Sequence, residues 1–247
     1  MKGGMTIIWL DTVDSTQNEV QRQADTLDNL SVIAAIRQTS GRGQRGNRWH
    51  SPAGENLTFS VLLRPGEDGI PELPAGRQFL ISQVATLAVR GLLQEAGIPS
   101  SVKWPNDIYV GDKKICGMLV ENALAGGKVR TSVIGIGVNV NQTVFDPELM
   151  NPVSMKKLTG QAYDPVRLLE RFCDLFMIRL KQESHRLQAD WLAVLYRKGE
   201  RCRFTDCRTA AVFEGTIKGI SQIGLLEVEM PDGSIQEFGF KEISYIL

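Results

Sequence analysis

The sequence is poor in histidine and cysteine, and neither sign of charge is in excess. It has two histidines and four cysteines in 247 residues, and 28 Lys and Arg balance 28 Asp and Glu. A zinc centre needs about four ligands. Only Cys202 and Cys207 lie close together in the chain, so we expect no metal site built from a side-chain cluster. Zero net charge predicts no general affinity for nucleic acid or anionic membranes. Any basic function must therefore be local.

The sequence also lacks a long apolar run and a signal pattern at its start. No segment approaches the ~18–20 apolar residues that a membrane helix needs. The first residues, MKGGMTII, do not form a signal peptide. Scattered cysteines in a chain of this length are typical of reduced thiols. We therefore expect a cytoplasmic protein that does not associate with membranes.

Hydrophobic patterning predicts helices mixed with β-hairpins. A capping box at Thr16-x-x-Glu19 predicts a helix over 16–28, and apolar stripes with helical spacing predict helices over 75–96 and 165–189. After about Tyr196 the sequence becomes short β segments separated by glycines and an Asp-Gly pair, which predicts a small SH3-like β-barrel. The fold class that follows is α+β, with a mixed central sheet and helices. We place a main domain over 1–195 and a small C-terminal β domain over 196–247.

The stretch GRGQRGNRW, residues 41–49, combines three glycines with three arginines. Glycines allow sharp turns and close approach of the backbone to a ligand. The forked guanidinium groups of Arg42, Arg45 and Arg48 suit phosphate or carboxylate. The stretch is neither a Walker A loop nor a Rossmann fingerprint, because no Gly-Lys-Ser/Thr closes it and the following WHSP breaks a helix. An anion-binding loop and a solvated basic turn both fit this pattern.

The segment KWPND, residues 103–107, places charged and amide groups beside a proline. Pro105 favours an extended residue before it and displays Lys103 next to Asn106 and Asp107. A lysine, an amide and a carboxylate together could hold a nucleotide phosphate and Mg²⁺. The same sequence also fits simple Trp-Pro packing with an exposed lysine.

Two further segments offer small or polar groups at strand and helix ends. In GIGVNVN, residues 135–141, strand alternation places Gly135, Gly137 and Asn139 on one face. In DSTQNE, residues 14–19, a capping box of the form Thr-x-x-Glu predicts a helix start whose free N–H groups could bind a polar ligand. A close strand crossing and an ordinary helix cap are the structural alternatives.

Taken in order, DSTQNE, RQTSGRGQRGNRWHSP, VKWPNDIYV, KICGMLVEN and GIGVNVN resemble the biotin protein ligases. The match runs from about Thr12 to Asn141. The resemblance implies a catalytic domain related to class II aminoacyl-tRNA synthetases over 1–195, followed by the SH3-like domain. It implies that Mg-ATP and biotin give biotinyl-5′-AMP and pyrophosphate. Biotin is then transferred to one lysine of a biotin carboxyl carrier protein.

The resemblance also implies roles for individual residues. Lys103 would bridge the biotin carboxylate and the α-phosphate, and Asp107 would assist the acceptor lysine. The implied catalytic residues are Lys103, Arg42, Arg45 and Asp107. The implied biotin-binding residues are Ser15, Thr16, Gln17, Gln38, Arg42, Gly43, Gln44, Lys103 and Gly117. The implied ATP-binding residues are Arg42, Arg45, Trp49, Asn106, Gly135, Gly137 and Asn139, and Mg²⁺ is expected with ATP.

Several departures from the family pattern carry expectations of their own. Gln17 stands where many members have asparagine. Gln44 stands where well-known members have arginine, so we expect altered retention of biotinyl-AMP. No helix-turn-helix segment precedes Thr6, and we expect no specific binding of operator DNA. A lipoate or octanoate ligase of the same fold is the alternative enzyme. A non-enzymatic repressor or adaptor fits less well with the neutral charge. The sequence leaves monomer and homodimer open.

Overall fold

The computed structural model describes residues 4–246, without the side chain of Arg45. Within that part of the chain lie five α-helices: α1 Thr16–Arg22, α2 Phe79–Glu95, α3 Met155–Thr159, α4 Pro165–Leu180 and α5 Ser184–Ala193. The same part contains twelve strands: β1 Thr6–Val13, β2 Ser31–Gln38, β3 Leu57–Leu63, β4 Ser101–Lys103, β5 Asp107–Val110, β6 Lys113–Ala125, β7 Lys128–Val138, β8 Arg201–Asp206, β9 Val212–Ile220, β10 Leu226–Glu229, β11 Ile235–Phe238 and β12 Ile243–Ile246. None of the helices in the described range is long and apolar enough to cross a membrane.

A seven-stranded mixed sheet carries the main body of the protein. Its strand order is β1-β2-β3-β7-β6-β5-β4, with β1 parallel to β2 and the remaining neighbours antiparallel. The final strands form a five-stranded antiparallel sheet in the order β11-β10-β9-β8-β12. The predicted α+β class with a mixed central sheet is confirmed. Closure of the last five strands into an SH3-like barrel and the division at residue 195 stay predictions.

The two faces of the large sheet have different surroundings, as the residues of β7 show. Its even-numbered residues, such as Ile134 and Ile136, belong to the main apolar core, which also contains buried residues of α2 and α4. From Ser132 to Val138, where β7 pairs regularly with β3, its odd-numbered residues face the other side. There Val133 packs with Val20 of α1 in a small second cluster, and further along the strand Gly135 and Gly137 let Gln17 and Trp49 lie close to the sheet. One face thus carries the main core, and the other lines the cavity described below.

Helix α1 is shorter than predicted and begins differently. Its N-cap is Ser15, which makes no side-chain cap hydrogen bond. The predicted capping box is therefore wrong. The Arg64 guanidinium donates to the carbonyl oxygens of Ala24 and Leu27, so these groups are satisfied outside a continued helix.

The predicted helix over 165–189 is two helices, α4 and α5. Asp190 accepts hydrogen bonds from Arg179 at 2.6 Å and from Gln182 at 2.9 Å. These bonds hold the chain where it leaves α4 and turns into α5. An apolar stripe does not reveal such a break, because both helices carry buried apolar residues at helical spacing.

Candidate active site

A cavity of about 610 Å³ lies on the face of the large sheet that also carries α1. This volume is in the range of small-molecule sites. Its walls come from the start of α1, the end of β2, the loop 41–50, the middle of β6 and β7, and the segment 145–152. All five segments that carry the family resemblance therefore contribute residues to the cavity, and KWPND contributes Asp107.

The polar end of the cavity is built where α1 meets β2 and β3. Gln38 Oε1 accepts a hydrogen bond from the Thr16 backbone N–H at 2.8 Å. The Thr16 and Ser60 hydroxyls lie 2.9 Å apart, and Ser60 Oγ donates to Gln17 Oε1 at 3.3 Å. Thr16, Gln17 and Ser60 are buried. Mutual hydrogen bonds fix these groups before a ligand arrives, which favours recognition of a polar ligand end.

Glycines form the floor of the cavity and a tryptophan covers them. Gly117 and Gly137 are opposite each other on β6 and β7, and the Trp49 ring lies on both. A Cβ on Gly117 would come within 2.9 Å of the Trp49 ring, and one on Gly137 would clash with it more severely. Trp49 Nε1 is buried and has no hydrogen-bond partner among the described residues. The cavity therefore has a flat aromatic wall with a free N–H donor.

The cationic end of the cavity is formed by Lys114, which the sequence reasoning missed. Lys114 Nζ lies 2.7 Å from Asp107 Oδ2, and both residues line the cavity. In a regular strand Lys114 and Gly117 would point to opposite faces. The β5–β6 register is irregular, since Ile108 pairs with Cys116 while Tyr109 pairs with Lys114. This bulge adds one residue to β6 and brings Lys114 to the cavity face.

Lys103, the lysine that the sequence favoured, has different surroundings. Its Nζ donates to Tyr109 Oη at 3.2 Å and lies 4.5 Å from the Tyr109 ring centroid and 4.8 Å from that of Tyr245. Burial lowers the pKa of Lys103 to about 8, although Asp107 acts in the opposite direction. Among the described residues that line the cavity, Lys103 does not occur. Lys114 lines the cavity, and Lys103 interacts electrostatically with Asp107, the partner of Lys114, so the catalytic role of Lys103 stays a prediction.

Arg42 lines the cavity and is paired with Glu121, an acid that no sequence pattern indicated. Its Nη2 lies 2.7 Å from Glu121 Oε1. Gln17 Nε2 also donates to Glu121, at 2.8 Å. Burial raises the pKa of Glu121, but hydrogen bonds from Gln17, Arg42 and Gln21 outweigh that effect and hold the pKa below its ordinary value. Glu121 is therefore ionised at neutral pH.

Gln44 is held by the strand below it. Its Nε2 donates to the Met118 carbonyl at 3.0 Å and also contacts Asn106 Oδ1. Asn106 in turn donates to the same carbonyl at 3.0 Å. Asn106 is buried and does not belong to the described lining of the cavity. It supports Gln44 from behind.

Most of the residues selected from the sequence meet in this cavity. They are Ser15, Thr16, Gln17, Gln38, Arg42, Gly43, Gln44, Trp49, Asp107, Gly117, Gly135, Gly137 and Asn139. The side chain of Arg45 lies outside the described part of the chain. The individual roles of these residues stay predictions. Lys114 could have been selected from the sequence, because it lies three residues before Gly117 in KICGMLVEN. Glu121 could not, because only its contacts with Gln17 and Arg42 single it out.

Comparison with known proteins points in one direction. Residues 9–139 match the family described as the biotin/lipoate A/B protein ligase family. The chain is 30% identical over 239 residues to the bifunctional ligase/repressor BirA of Bacillus subtilis, covering 93% of this chain and 71% of that protein. It is 31% identical over 233 residues to the biotin–[acetyl-CoA-carboxylase] ligase of Paracoccus denitrificans, covering 89% and 92%. Its fold resembles the biotin protein ligase of Aquifex aeolicus in complex with biotin and ATP, with a TM-score of 0.79, 29% identity and 98% of each chain covered.

Proposed function

The chain belongs to the biotin/lipoate A/B protein ligase family, and from this premise we propose that it is an ATP-dependent biotin–[acetyl-CoA-carboxylase] ligase. The biotin carboxylate attacks the α-phosphorus of ATP, giving biotinyl-5′-AMP and releasing pyrophosphate. The amine of one lysine on a biotin carboxyl carrier protein then attacks the acyl carbon, forming an amide and releasing AMP. The observation that carries the proposal is one cavity with a fixed polar end, a glycine floor and a cationic end.

The polar end fits the head of biotin. Biotin has an apolar bicycle with a ureido group and a valerate tail that ends in a carboxylate. Thr16, Gln38 and Ser60 supply fixed donors and acceptors for the ureido group, and the ring of Trp49 supplies the apolar wall. Such a combination of mostly apolar contact and a few placed polar groups is typical of small-molecule sites.

The cationic end fits the chemistry of the first step. Two anions, a carboxylate and a phosphate, must approach each other, and their repulsion is overcome by a fixed cation. We assign this role to Lys114, because its ammonium faces the cavity. Arg42 adds a second cation. Lys103, the residue selected from the sequence, is held among tyrosines and is assigned a supporting place instead.

The second step needs a neutral amine on the acceptor lysine. Asp107 lies in the cavity beside Lys114, where its carboxylate can accept a proton from the incoming ammonium. The amide bond then forms, and the adenylate phosphate leaves against the charge of Lys114. In this account Asp107 and Lys114 act as a pair in both steps.

Magnesium is expected to arrive with the phosphates of ATP. Within residues 4–246 no group of three or more His, Cys, Asp or Glu side chains could hold a metal ion. Mg²⁺ typically binds one or two carboxylates together with substrate phosphates and water, and Glu148 lines the cavity. This carboxylate fits that pattern, while Asp107 stays paired with Lys114. Bound there, the ion would neutralise phosphate charge.

The nucleotide is assigned to the part of the cavity that contains Gly135, Gly137 and Asn139. Gly135 and Gly137 let Gln17 and Trp49 lie close to this strand, and Asn139 adds an amide whose nitrogen donates to the Val153 carbonyl at 3.0 Å. The carrier protein is the expected macromolecular partner. The SH3-like form of residues 196–247, cytoplasmic location, absence of specific DNA binding and a possible homodimer are further parts of the proposal. Four free thiols, three of them buried, support a reducing compartment.

Exchange of labelled pyrophosphate into ATP tests the first step. We expect exchange in the presence of biotin, ATP and Mg²⁺, and none when lipoate or octanoate replaces biotin. Lys128→Met provides a control, because Lys128 forms an exposed ion pair with Glu72 and should exchange normally. Exchange that depends on lipoate or octanoate would move the assignment to the alternative ligase. Exchange with none of the three acids would remove the proposal.

A further inference from the structure

We propose that Glu121 is a counterion switch for Arg42. The Glu121 carboxylate holds the Arg42 guanidinium, and an anionic ligand would take its place. The inference deepens the proposed function and rests on it, since it assumes that Arg42 contacts the carboxylate of biotin or the phosphate of the adenylate. It makes Glu121 a positioning residue that selects for ligands with an anionic end.

Glu121 is the centre of a fixed polar cluster between α1, β6 and the glycine-rich loop. Its carboxylate accepts hydrogen bonds from Gln17 at 2.8 Å and from Gln21 at 2.7 Å, both on α1. It also accepts two from Arg42, at 2.7 Å and 3.2 Å. Gln17 is further anchored by the Val133 carbonyl at 3.1 Å. The carboxylate is thus held from one side by α1 and presents its oxygens to Arg42 on the other.

Arg42 uses the same atoms for Glu121 that it would use for a ligand. Both terminal nitrogens point at the Glu121 carboxylate, and this planar fork is the geometry with which arginine recognises carboxylate and phosphate. The two partners therefore compete. Arg42 lines the cavity, whereas Glu121 does not belong to its described lining. A modest rotation of the arginine side chain would transfer the fork from Glu121 to a ligand.

The ion pair between Arg42 and Glu121 is only weakly stabilised. The side chains of Arg42 and Glu121 are 36% and 34% exposed, so water screens their attraction and the exchange costs little. After the exchange, Glu121 keeps its hydrogen bonds from Gln17 and Gln21. A neutral molecule of similar shape offers no compensation for the lost pair. Arg42 would therefore turn from Glu121 toward anions rather than toward neutral molecules.

The test compares biotin with its neutral alcohol analogue, in which CH₂OH replaces the carboxylate. Glu121→Gln keeps the size and an acceptor for Gln17 but removes the charge that retains Arg42. We expect this variant to bind biotin about two- to fivefold more tightly by calorimetry without ATP, the effect of releasing a partly exposed charged pair. We expect its affinity for the alcohol to stay unchanged. Glu72→Gln, which removes an exposed ion pair elsewhere, should change neither affinity.

A double-mutant cycle separates the switch from a structural effect. In an Arg42→Ala background, Glu121→Gln should no longer change the biotin affinity, because the competing group is absent. Glu121→Asp retains the charge but shortens the side chain, and it should tighten biotin binding less than Glu121→Gln does. This variant keeps the experiment available if Glu121→Gln unfolds, as judged by thermal melting.

Three results would overturn the switch: unchanged or weaker biotin binding in Glu121→Gln, an equal gain for the alcohol, or the same gain without Arg42. Each leaves the proposed function intact. If the unaltered protein bound no biotin, the proposed function would fail, and the switch would fail with it.

Discussion

Removal of the Lys114 ammonium is the perturbation that bears most on the chemistry. Lys114→Met keeps much of the side-chain length and apolar stem but removes the charge. Lys114 Nζ lies 2.7 Å from Asp107, and the two side chains are 32% and 25% exposed. Since the pair is partly solvated, we expect its loss to cost ~0.5–1 kcal/mol of unfolding free energy.

The effect on the first step should be far larger than the effect on stability. A fixed charge or donor that faces the developing charge of a transition state is worth about 10²–10³ in rate, or ~2.7–4 kcal/mol. We therefore expect Lys114→Met to lower kcat for biotin-dependent pyrophosphate exchange about 100- to 1000-fold. The thermal midpoint should fall by only a few degrees.

Two comparison variants make the result decisive. Lys128→Met, far from the chemistry in an exposed ion pair, should exchange at the normal rate. Lys103→Met removes the lysine held by Tyr109 and Tyr245 and should lose much less activity than Lys114→Met. A Lys114→Met exchange rate within a few-fold of that of the unaltered protein would refute the assignment of Lys114. A larger loss of activity in Lys103→Met than in Lys114→Met would refute it as well.

Three further outcomes follow from the same contacts. Gln44→Arg places a charge beside the buried Asn106 and should lengthen the half-life of bound biotinyl-AMP in a release assay. An unchanged half-life would contradict the expectation that Gln44 alters retention of biotinyl-AMP. Gly137→Ala places a Cβ against Trp49 and should weaken biotin binding about tenfold with a shift in tryptophan fluorescence, because overpacking costs ~1–3 kcal/mol; an unchanged Kd speaks against it. Burial lowers the pKa of Lys103 to about 8. Between that pH and the ordinary pKa of lysine, the unfolded chain binds more protons than the folded chain, so the free energy of unfolding should rise with pH by up to ~2 kcal/mol. Lys103→Met should abolish this rise in urea titrations, and a rise that persists would assign it to another group.

Regular periodicity predicted much of the fold. Strand alternation placed Gly135 and Gly137 of β7, and Asn139 just after it, on one face, and all three line the cavity. It succeeded because β7 pairs with β3 in regular register through this region. The long apolar stripe of residues 75–96 likewise corresponds to α2, which ends just before Gly97 with its φ of +73°.

Several features of the site could not be predicted, for identifiable physical reasons. Lys114 reaches the cavity through a bulge, and a bulge reverses the face that alternation predicts. The tyrosines that surround Lys103 include Tyr196 and Tyr245, which lie more than ninety residues further along the chain, and the role of Lys103 stays a prediction. Glu121 matters because α1 and the glycine-rich loop converge on it. Such long-range contacts leave no local pattern in a single sequence.

The most direct measurement is the mass of a biotin carboxyl carrier domain after incubation with the protein, biotin, ATP and Mg²⁺. We expect the addition of one biotinyl group at a single lysine, dependent on ATP and strongly reduced in Lys114→Met. An unmodified carrier domain, or a lipoyl or octanoyl adduct when those acids are offered together with biotin, would contradict the proposed biotin ligase function.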